Sequence, residues 1–339
     1  MGVDVSSAVT ALKWALGDFL DRGRPDGVFH VQPGGPGSVP ALADLDVPEL
    51  HLDLLPGVPT ATQLEGLSGL GYVSELESRW LHPGGRRLVL CDHGSGWRAA
   101  QGALRALLRA DPAAAREYRR VFAGQGRAAA DEALRAPATA HHARTVGLSP
   151  ARFVARALAA LDAPWMIAGG VALDLHLGHV ARPHDDLDVA VPREAQGALP
   201  GLLAGWRLDA SVGGVYQGFT VPLAPPVYQI HARHPALPDV LMLDLMLGDL
   251  SGGLWRYRRD PALTAPLEQA RRITPDGLPY LAPEIVLLFK AGSTDGHDPR
   301  GKDEQDFSRA APTLNREARD WLRAALERTR PGHRWLEEL

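Results

Sequence analysis

Two aspartates separated by a single residue are the first candidates for chemistry in this sequence. Asp186 and Asp188 lie in the segment DLDVAVP, whose alternating pattern predicts a β-strand. Because successive side chains of a strand point to opposite faces, both carboxylates project from one face and Leu187 from the other. Two anions about 6 to 7 Å apart on one face repel each other, and a hard divalent cation between them would remove that cost. The pair therefore predicts a metal site.

A third aspartate interrupts an apolar segment. Asp244 stands within LMLDLML, which otherwise contains only leucine and methionine and predicts a buried strand. A lone carboxylate in such a strand would cost several kcal/mol unless it were neutralised or paired. We therefore predict that Asp244 is a third carboxylate facing the metal.

A pair of glycines precedes the aspartate strand. Gly169 and Gly170 close the short apolar segment PWMIA, just before a predicted helix. Glycines let a backbone approach a ligand closely, and the first N–H groups of a helix favour an anion. Gly-Gly pairs are most often simple turns, but in combination with Asp-x-Asp on the next strand this pair predicts a phosphate-binding site.

The segment PWMIAGGVALDLHLGHVARPHDDLDV resembles the motif of the aminoglycoside and lincosamide nucleotidyltransferases, most closely the aminoglycoside 2″-nucleotidyltransferase type. That motif reads Gly-Gly-x-x-x-Asp, a Leu-Gly turn, and then Arg-x-His-x-Asp-hydrophobic-Asp. The resemblance implies a polymerase β-type domain that binds NTP and divalent metal. The resemblance also implies that Asp186, Asp188 and Asp244 bind metal, with Asp244 also acting as general base. Gly169 and Gly170 would contact the triphosphate. Arg182 and His184 would line the phosphate-binding loop. Asp174 is either a helix-surface residue or an acceptor contact.

The C-terminal segment YLAPEIVLLFKAGSTDGHDPRGKDEQDF is similar to the ending of many of these domains. By this resemblance, Lys290 on the Pro-Glu helix would reach phosphate. Lys302, with Asp303 and Asp306, would hold the loop or contact the nucleotide.

These residues require a set of strands and helices to position them. After a helix at about 149–162, the pattern predicts a strand at PWMIA, a helix at VALDLHLG and strands at DLDVAVP and VLMLDLMLG. RRITPDGLPYLA predicts a hairpin or loop, and PEIVLLFKA a helix with proline in its first turn. The second half is therefore expected to be an α/β or α+β domain with its own sheet.

The first half also mixes strands and helices. A helix is predicted over 5–22, strands at ELHLDLLP, GYVSELESRWL and RRLVLCDH, and two helices broken near Pro112. Residues 28–122 resemble the GrpB-like family, a nucleotidyltransferase relative. The Gly-Ser-Thr of that family is altered to Gly37-Ser38-Val39, no lysine precedes Pro48, and only Asp53 stands on the expected metal strand. Residues 1–145 are therefore interpreted as a non-catalytic, GrpB-like domain, and residues 146–339 as the catalytic domain.

Composition limits the other classes of function. The 339 residues carry a formal net charge of -4, which provides no large basic surface for nucleic acid. Only one cysteine is present, and no apolar stretch is long enough to span a membrane, so a cytoplasmic protein is expected. Residues 123–150 contain few large apolar side chains and suggest a helical tail and a linker. His141 and His142, within it, are expected to be solvated.

The sequence thus predicts an α/β (α+β) protein of two tandem nucleotidyltransferase-like domains, each a small mixed sheet flanked by helices. The second would transfer a nucleoside monophosphate from ATP or another NTP to a hydroxyl of a small acceptor, plausibly aminoglycoside-like, by two-metal catalysis with Mg²⁺ or Mn²⁺. The alternatives are a non-enzymatic nucleotide-sensing or toxin-neutralising partner protein, and a nucleotidyltransferase acting on a protein or tRNA. A cationic acceptor predicts an acidic cleft near Asp186, and an RNA acceptor a basic one.

Overall fold

The computed structural model describes residues 29–54, 61–76, 78–91, 95–212, 215–220, 222–234, 236, 240, 242–292 and 299–339. The chain divides into two compact units, Met1–Thr145 and Val146–Leu339. The helix predicted over 5–22 lies outside the described residues. No helix in the described part of the chain is long and apolar enough to cross a membrane.

The first unit contains a five-stranded mixed sheet. Its strands are β1 Phe29–Gly34, β2 Glu49–Leu54, β3 Val73–Leu76, β4 Arg79–His82 and β5 Arg86–Cys91. They lie in the order β1-β2-β5-β4-β3, and only the β2–β5 pair is parallel. Leu50 and Leu52 of β2 pack with Leu88 and Trp80 in a core on one side of the sheet.

Helices supply the second core of this unit. They are α2 Trp97–Ala110, α3 Pro112–Gln125 and α4 Arg127–Thr145, whereas α1 Ala61–Gly69 packs Leu67 into the core on the sheet. The break near Pro112 is confirmed, and Asp111 caps α3 by accepting a hydrogen bond from the Ala113 N–H (2.8 Å). Leu104, Leu107 and Tyr118 of α2 and α3 pack in the centre of this core.

The segment 123–150 is more structured than the sequence suggested. Most of it forms the helix α4, in which residues four apart in the sequence share one face. Ala130, Leu134 and Ala138 pack into the helical core, and His142 on the same face is buried. The expectation of a solvated His142 was therefore wrong: small side chains at helical spacing bury a face as well as large ones do.

The second unit contains an eight-stranded mixed sheet, larger than the small sheet predicted. Its strands are β6 Met166–Ile167, β7 Asp186–Pro192, β8 Arg207–Val212, β9 Val215–Gly218, β10 Gln229–Arg233, β11 Met242–Gly248, β14 Arg271–Ile273 and β15 Pro279–Leu281. The remaining strands, β12 Leu254–Arg256 and β13 Thr264–Pro266, form a separate two-stranded sheet. The order is β14-β15-β6-β7-β11-β10-β8-β9, with β7–β11 and β15–β6 parallel. The predicted hairpin is the antiparallel pair β14–β15.

Helices cover the apolar side of this sheet. They are α5 Ser149–Ala157, α6 Gly169–Leu177, α7 Leu199–Leu202, α8 Leu267–Ala270, α9 Pro283–Lys290, α10 Gly301–Ala310 and α11 Arg316–Thr329. Leu187 and Val189 of β7 and Leu243 and Leu245 of β11 are fully buried in the core, together with Leu287 of α9. The same alternation leaves Asp186, Asp188 and Asp244 on the other face. Both units are thus mixed α/β structures, as predicted.

Candidate active site

The three aspartates lie together on neighbouring strands. In the parallel pairing of β7 and β11, Asp188 is opposite Asp244 and Asp186 is opposite Met242. Partner strands lie about 4.8 Å apart, so cross-strand partners share one face at close range. The structure therefore brings the Asp-x-Asp pair and the aspartate of the apolar strand into one row.

The carboxylates of Asp186, Asp188 and Asp244 repel one another where burial limits their solvation. Burial, followed by the charge of Asp186, raises the pKa of Asp188 to about 7. Burial, followed by the charges of Asp188 and Asp186, raises the pKa of Asp244 well above its ordinary value. Gln229 Nε2 donates to Asp244 Oδ2 (2.8 Å), but Asp244 Oδ1 is buried and accepts no hydrogen bond from the described residues. Without a cation, this row is under electrostatic strain.

Gly169 lies directly against Asp188. The Ala168 N–H donates to the carbonyl oxygen of Asp188 (2.8 Å), which joins β6 to β7 and starts α6 beside the carboxylate. A Cβ on Gly169 would stand 1.7 Å from Asp188 Oδ2, and the φ of +58° is one that other residues seldom adopt. At Gly170, a Cβ would stand 2.5 Å from His184 Cε1. Both positions require glycine for space, and the prediction that they contact triphosphate remains untested.

Arg182 and His184 organise the loop between α6 and β7. His184 Nε2 lies 2.7 Å from Asp174 Oδ2, and Asp174 Oδ1 accepts from the Ala181 N–H (3.0 Å). Asp174 is therefore a buried loop anchor, so its expected place on the helix surface was wrong, and the acceptor contact stays a prediction. Arg182 donates to both carboxylate oxygens of Asp306, at 3.2 and 3.0 Å. Arg182 and His184 thus lie in this loop, as the resemblance implied, and are held there by Asp306 and Asp174.

The two C-terminal lysines have different surroundings. Lys290 Nζ lies 2.7 Å from Asp303 Oδ1 and 2.8 Å from Asp306 Oδ2, so its charge is already paired within the unit. Lys302 makes no hydrogen bond or ion pair with the described residues. Burial and then Arg300 lower the pKa of Lys302, while the attraction of Asp186 opposes them. Lys302 is thus the better placed lysine for an anionic ligand.

Asp306 connects this lysine pair to the loop. Burial raises its pKa, but the charges and hydrogen bonds of Arg182 and Lys290 lower it more, so that the net pKa is well below its ordinary value. We expect Asp306→Ala to lower the free energy of unfolding of the second unit by about 3 kcal/mol, since Arg182 loses its carboxylate partner and Lys290 loses one of its two. Chemical denaturation measures this loss.

The matched control is Asp320→Ala, which removes an exposed carboxylate on α11. It should change stability little. The pKa of Asp306 is lower in the folded protein than the value of about 3.9 in the unfolded chain, so Asp306 stabilises the folded protein above that pH. This stabilisation is lost as the pH falls below it. The wild type should therefore lose stability below about pH 4 more steeply than Asp306→Ala, and equal acid sensitivity of the two proteins would contradict this role.

The carboxylate row does not form a closed metal cage. Within the described ranges, no group of three or more histidine, cysteine, aspartate or glutamate side chains is arranged to hold a metal ion. Mg²⁺ ordinarily takes one or two protein carboxylates and completes its shell with water and substrate phosphates, so an open site suits it better than a cage. Asp244 Oδ1, which accepts no hydrogen bond from the described residues, and the repelling pair Asp186 and Asp188 fit such an ion.

The sheet adds residues that the sequence analysis missed. His231 of β10 is opposite Asp244, and Asp209 of β8 is opposite His231, which extends the polar row across four strands. His231 Nε2 lies 3.6 Å from Asp244 Oδ1, while Asp209 is ion-paired with Arg207 (2.9 Å). The alternating pattern of QIHAR, residues 229–233, indicates a strand, but it does not show which strand lies next to it.

The first unit has a buried polar strand face of a different kind. Glu49, His51 and Asp53 alternate on β2 and are all fully buried. Arg127 Nη2 donates to Glu49 Oε2 (3.0 Å), and Arg98 Nε lies 3.4 Å from Asp53 Oδ2. Burial raises the pKa of Glu49, but hydrogen bonds from His51 and Arg127 bring it well below its ordinary value. Guanidinium groups therefore already neutralise these carboxylates.

Comparison with known proteins agrees with the sequence motifs. A family model described as aminoglycoside-2″-adenylyltransferase matches residues 152–212. The solution structure of the antibiotic-resistance factor ANT(2″)-Ia is similar, with 22% sequence identity and a TM-score of 0.38 over 53% of this chain and 92% of that chain. The crystal structure of ANT(2″)-Ia with adenylyl-2″-tobramycin has 21% identity and a TM-score of 0.38 over 53% of this chain and 98% of that chain. The lincosamide adenylyltransferase LnuA bound to lincomycin has 16% identity and a TM-score of 0.37 over 49% of this chain and 97% of that chain. No curated protein matches.

The predicted resemblance to the aminoglycoside nucleotidyltransferases is thus confirmed for residues 152–212, which include Gly169, Gly170, Asp186 and Asp188. The resemblance of residues 28–122 to the GrpB-like family stays a prediction.

Proposed function

We propose that the second unit transfers a nucleoside monophosphate from an NTP to a hydroxyl group of a small acceptor. The observation that carries this proposal is the parallel register that sets Asp188 opposite Asp244 while Gly169 lies against Asp188. It places carboxylates for a cation beside a glycine-initiated helix suited to phosphate. The match of residues 152–212 to a family of adenylyltransferases supports the same reaction.

Each group has a role in this reaction. Asp186 and Asp188 would hold Mg²⁺ or Mn²⁺, which when bound neutralises the triphosphate and lowers the pKa of the acceptor hydroxyl. The N–H groups at the start of α6, at Gly169 and Gly170, would bind a phosphate oxygen, and Lys302 would bind another. Asp244 would accept the proton of the acceptor hydroxyl at Oδ1, the oxygen that accepts no hydrogen bond from the described residues.

The first unit would not catalyse this reaction. Its carboxylates on β2 already bind arginines, so a metal ion would have to displace those arginines before it could bind. We infer that residues 1–145 are a non-catalytic domain that serves packing, partner contact or acceptor binding.

The proposed function predicts acceptor-dependent release of pyrophosphate. The test supplies ATP or GTP with Mg²⁺ or Mn²⁺ and offers aminoglycosides, lincosamides, small phenolic acceptors and tRNA in separate reactions. Release that depends on one acceptor class would support the proposal and identify the substrate. Metal-dependent binding of NTP without release for any acceptor would instead favour the nucleotide-sensing or toxin-neutralising role, and release with tRNA alone would favour the polymer-directed alternative.

A further inference from the structure

A cavity of about 760 Å³ opens at the ends of the two aspartate-bearing strands. It is bounded by Arg193 directly after β7, by Gly248 at the end of β11, by Tyr228 directly before β10, and by Arg256 and Arg258. Pockets of about 300 to 1,000 Å³ accept drug-sized molecules. The cavity is therefore large enough for a substrate, and none of the roles assigned above accounts for it.

The wall of the cavity is rich in arginine. The guanidinium carbons of Arg193 and Arg258 lie over the ring of Tyr228, at 4.9 and 4.8 Å from its centre. Arg256 is neutralised by Asp249 (2.9 Å), and the nearest remaining carboxylate of the wall, Glu194, is exposed. The positive charge available to a ligand is thus that of Arg193 and Arg258, which lie over the ring of Tyr228.

Both arginines lack a carboxylate partner within the described part of the chain. Arg193 Nη1 donates to the carbonyl oxygen of Leu223 (3.0 Å), but its Nη2 is buried and has no hydrogen-bond acceptor there. Arg258 makes no ion pair with the described residues, and burial followed by Arg259 lowers its pKa. Arg193 is half-buried with a buried Nη2, Arg258 is exposed, and neither has a counter-ion among the described residues. An anion entering the cavity would therefore be stabilised by a charge-assisted hydrogen bond from Arg193 and by the charge of Arg258.

The rest of the wall favours a ring. Pro222, Pro225 and Pro261 contribute apolar surface beside Tyr228. A planar apolar ligand packs on such surfaces, while guanidinium groups bind its carboxylate or phosphate in a forked geometry. A polycationic ligand would meet two like charges here.

The cavity is distinct from the aspartate row. Its lining includes none of Asp186, Asp188 and Asp244. Gly248 follows Asp244 by four residues, about 13 Å along β11. Tyr228 directly precedes Gln229, whose amide holds Asp244 Oδ2, so strand alternation directs Tyr228 to the other face of the sheet. The cavity is therefore a separate candidate binding site.

We propose that this cavity binds a small aromatic anion, with its carboxylate or phosphate group on Arg193 and Arg258 and its ring against Tyr228. This site is separate from the row of aspartates, so its ligand need not take part in nucleotidyl transfer.

The test measures binding without NTP, by isothermal titration calorimetry on the full chain. The probes are 4-hydroxybenzoate, its neutral counterpart 4-hydroxybenzamide, and the cationic tyramine. We expect 4-hydroxybenzoate to bind at least about tenfold more tightly than either of the others, and more weakly as salt is added. Arg258→Gln should weaken it by about tenfold to a hundredfold, the effect of losing one charge-assisted hydrogen bond.

The matched control is Arg316→Gln, which removes an exposed positive charge on α11 and should leave binding unchanged. Thermal unfolding verifies that each variant is folded, and Arg193→Gln replaces Arg258→Gln if the latter is not. Equal binding of tyramine, no binding of 4-hydroxybenzoate, or unchanged binding in both arginine variants would overturn the proposal.

The two proposals fail separately. Binding of 4-hydroxybenzoate that is retained in Asp188→Asn supports the cavity assignment whether or not pyrophosphate is released. Pyrophosphate release with tobramycin by a protein that does not bind 4-hydroxybenzoate overturns the cavity assignment and leaves the proposed function intact.

Discussion

Asp188→Asn is expected to reduce acceptor-dependent pyrophosphate release by about a thousandfold or more, because a preorganised charge at the reacting centre is removed. The same change should not destabilise the metal-free protein. The pKa of Asp188 is raised to about 7 by burial and by Asp186, so the neutral amide removes a repulsion that the folded state carries near neutral pH. Steady-state kinetics and thermal unfolding without metal measure the two effects.

Asp162→Asn is the matched control, since it removes an exposed carboxylate outside the sheet of the same unit. It should leave both activity and stability unchanged. Asp188→Asn activity within tenfold of the native value would remove Asp188 from the reaction. A large loss of thermal stability would show instead that the carboxylate has a structural role.

Gly169→Ala is expected to impair both stability and activity. The new Cβ would stand 1.7 Å from Asp188 Oδ2, and alanine would have to adopt a φ of +58°. We expect a loss of about 2 kcal/mol in the free energy of unfolding. Displacement of the carboxylate should lower the rate of pyrophosphate release by about a hundredfold in the fraction that still folds.

Gly201→Ala offers the same chemical change on α7, where a Cβ would meet open space. Because alanine favours helix over glycine, this control should be neutral or slightly stabilising. Denaturant unfolding and kinetics on both variants separate the effect of position from that of the added methyl group. If Gly169→Ala were as stable and active as Gly201→Ala, the close packing of Gly169 on Asp188 would have no importance.

Local periodicity predicted the elements that carry the candidate site. The two-residue spacing of Asp186 and Asp188 placed them on one strand face, and a carboxylate within apolar residues marked Asp244. The glycine pair that begins α6 and the proline that begins α9 were equally visible in the sequence, because each reflects a local requirement of the backbone.

Partners that are distant in the chain were not predictable in the same way. Arg182 meets Asp306, and His231 is opposite Asp244, only because strands and helices pair across the unit. Periodicity gives the face of a strand but not the identity or register of its neighbour. For the same reason, the sequence did not show that Asp174 would be buried against His184.

The parallel pairing of β7 with β11 also bears on how the protein folds. The chain forms three strands, β8 to β10, between these two neighbours, so a long loop must close before Asp188 meets Asp244. The cost of closing such a loop is entropic, and pairings of this kind are slow relative to hairpins and helices. Gly169 and Asp188, in contrast, meet through the nearby antiparallel pair β6–β7. We therefore expect Gly169 to meet Asp188 early in folding and Asp188 to meet Asp244 late, when most of the sheet that carries them has formed.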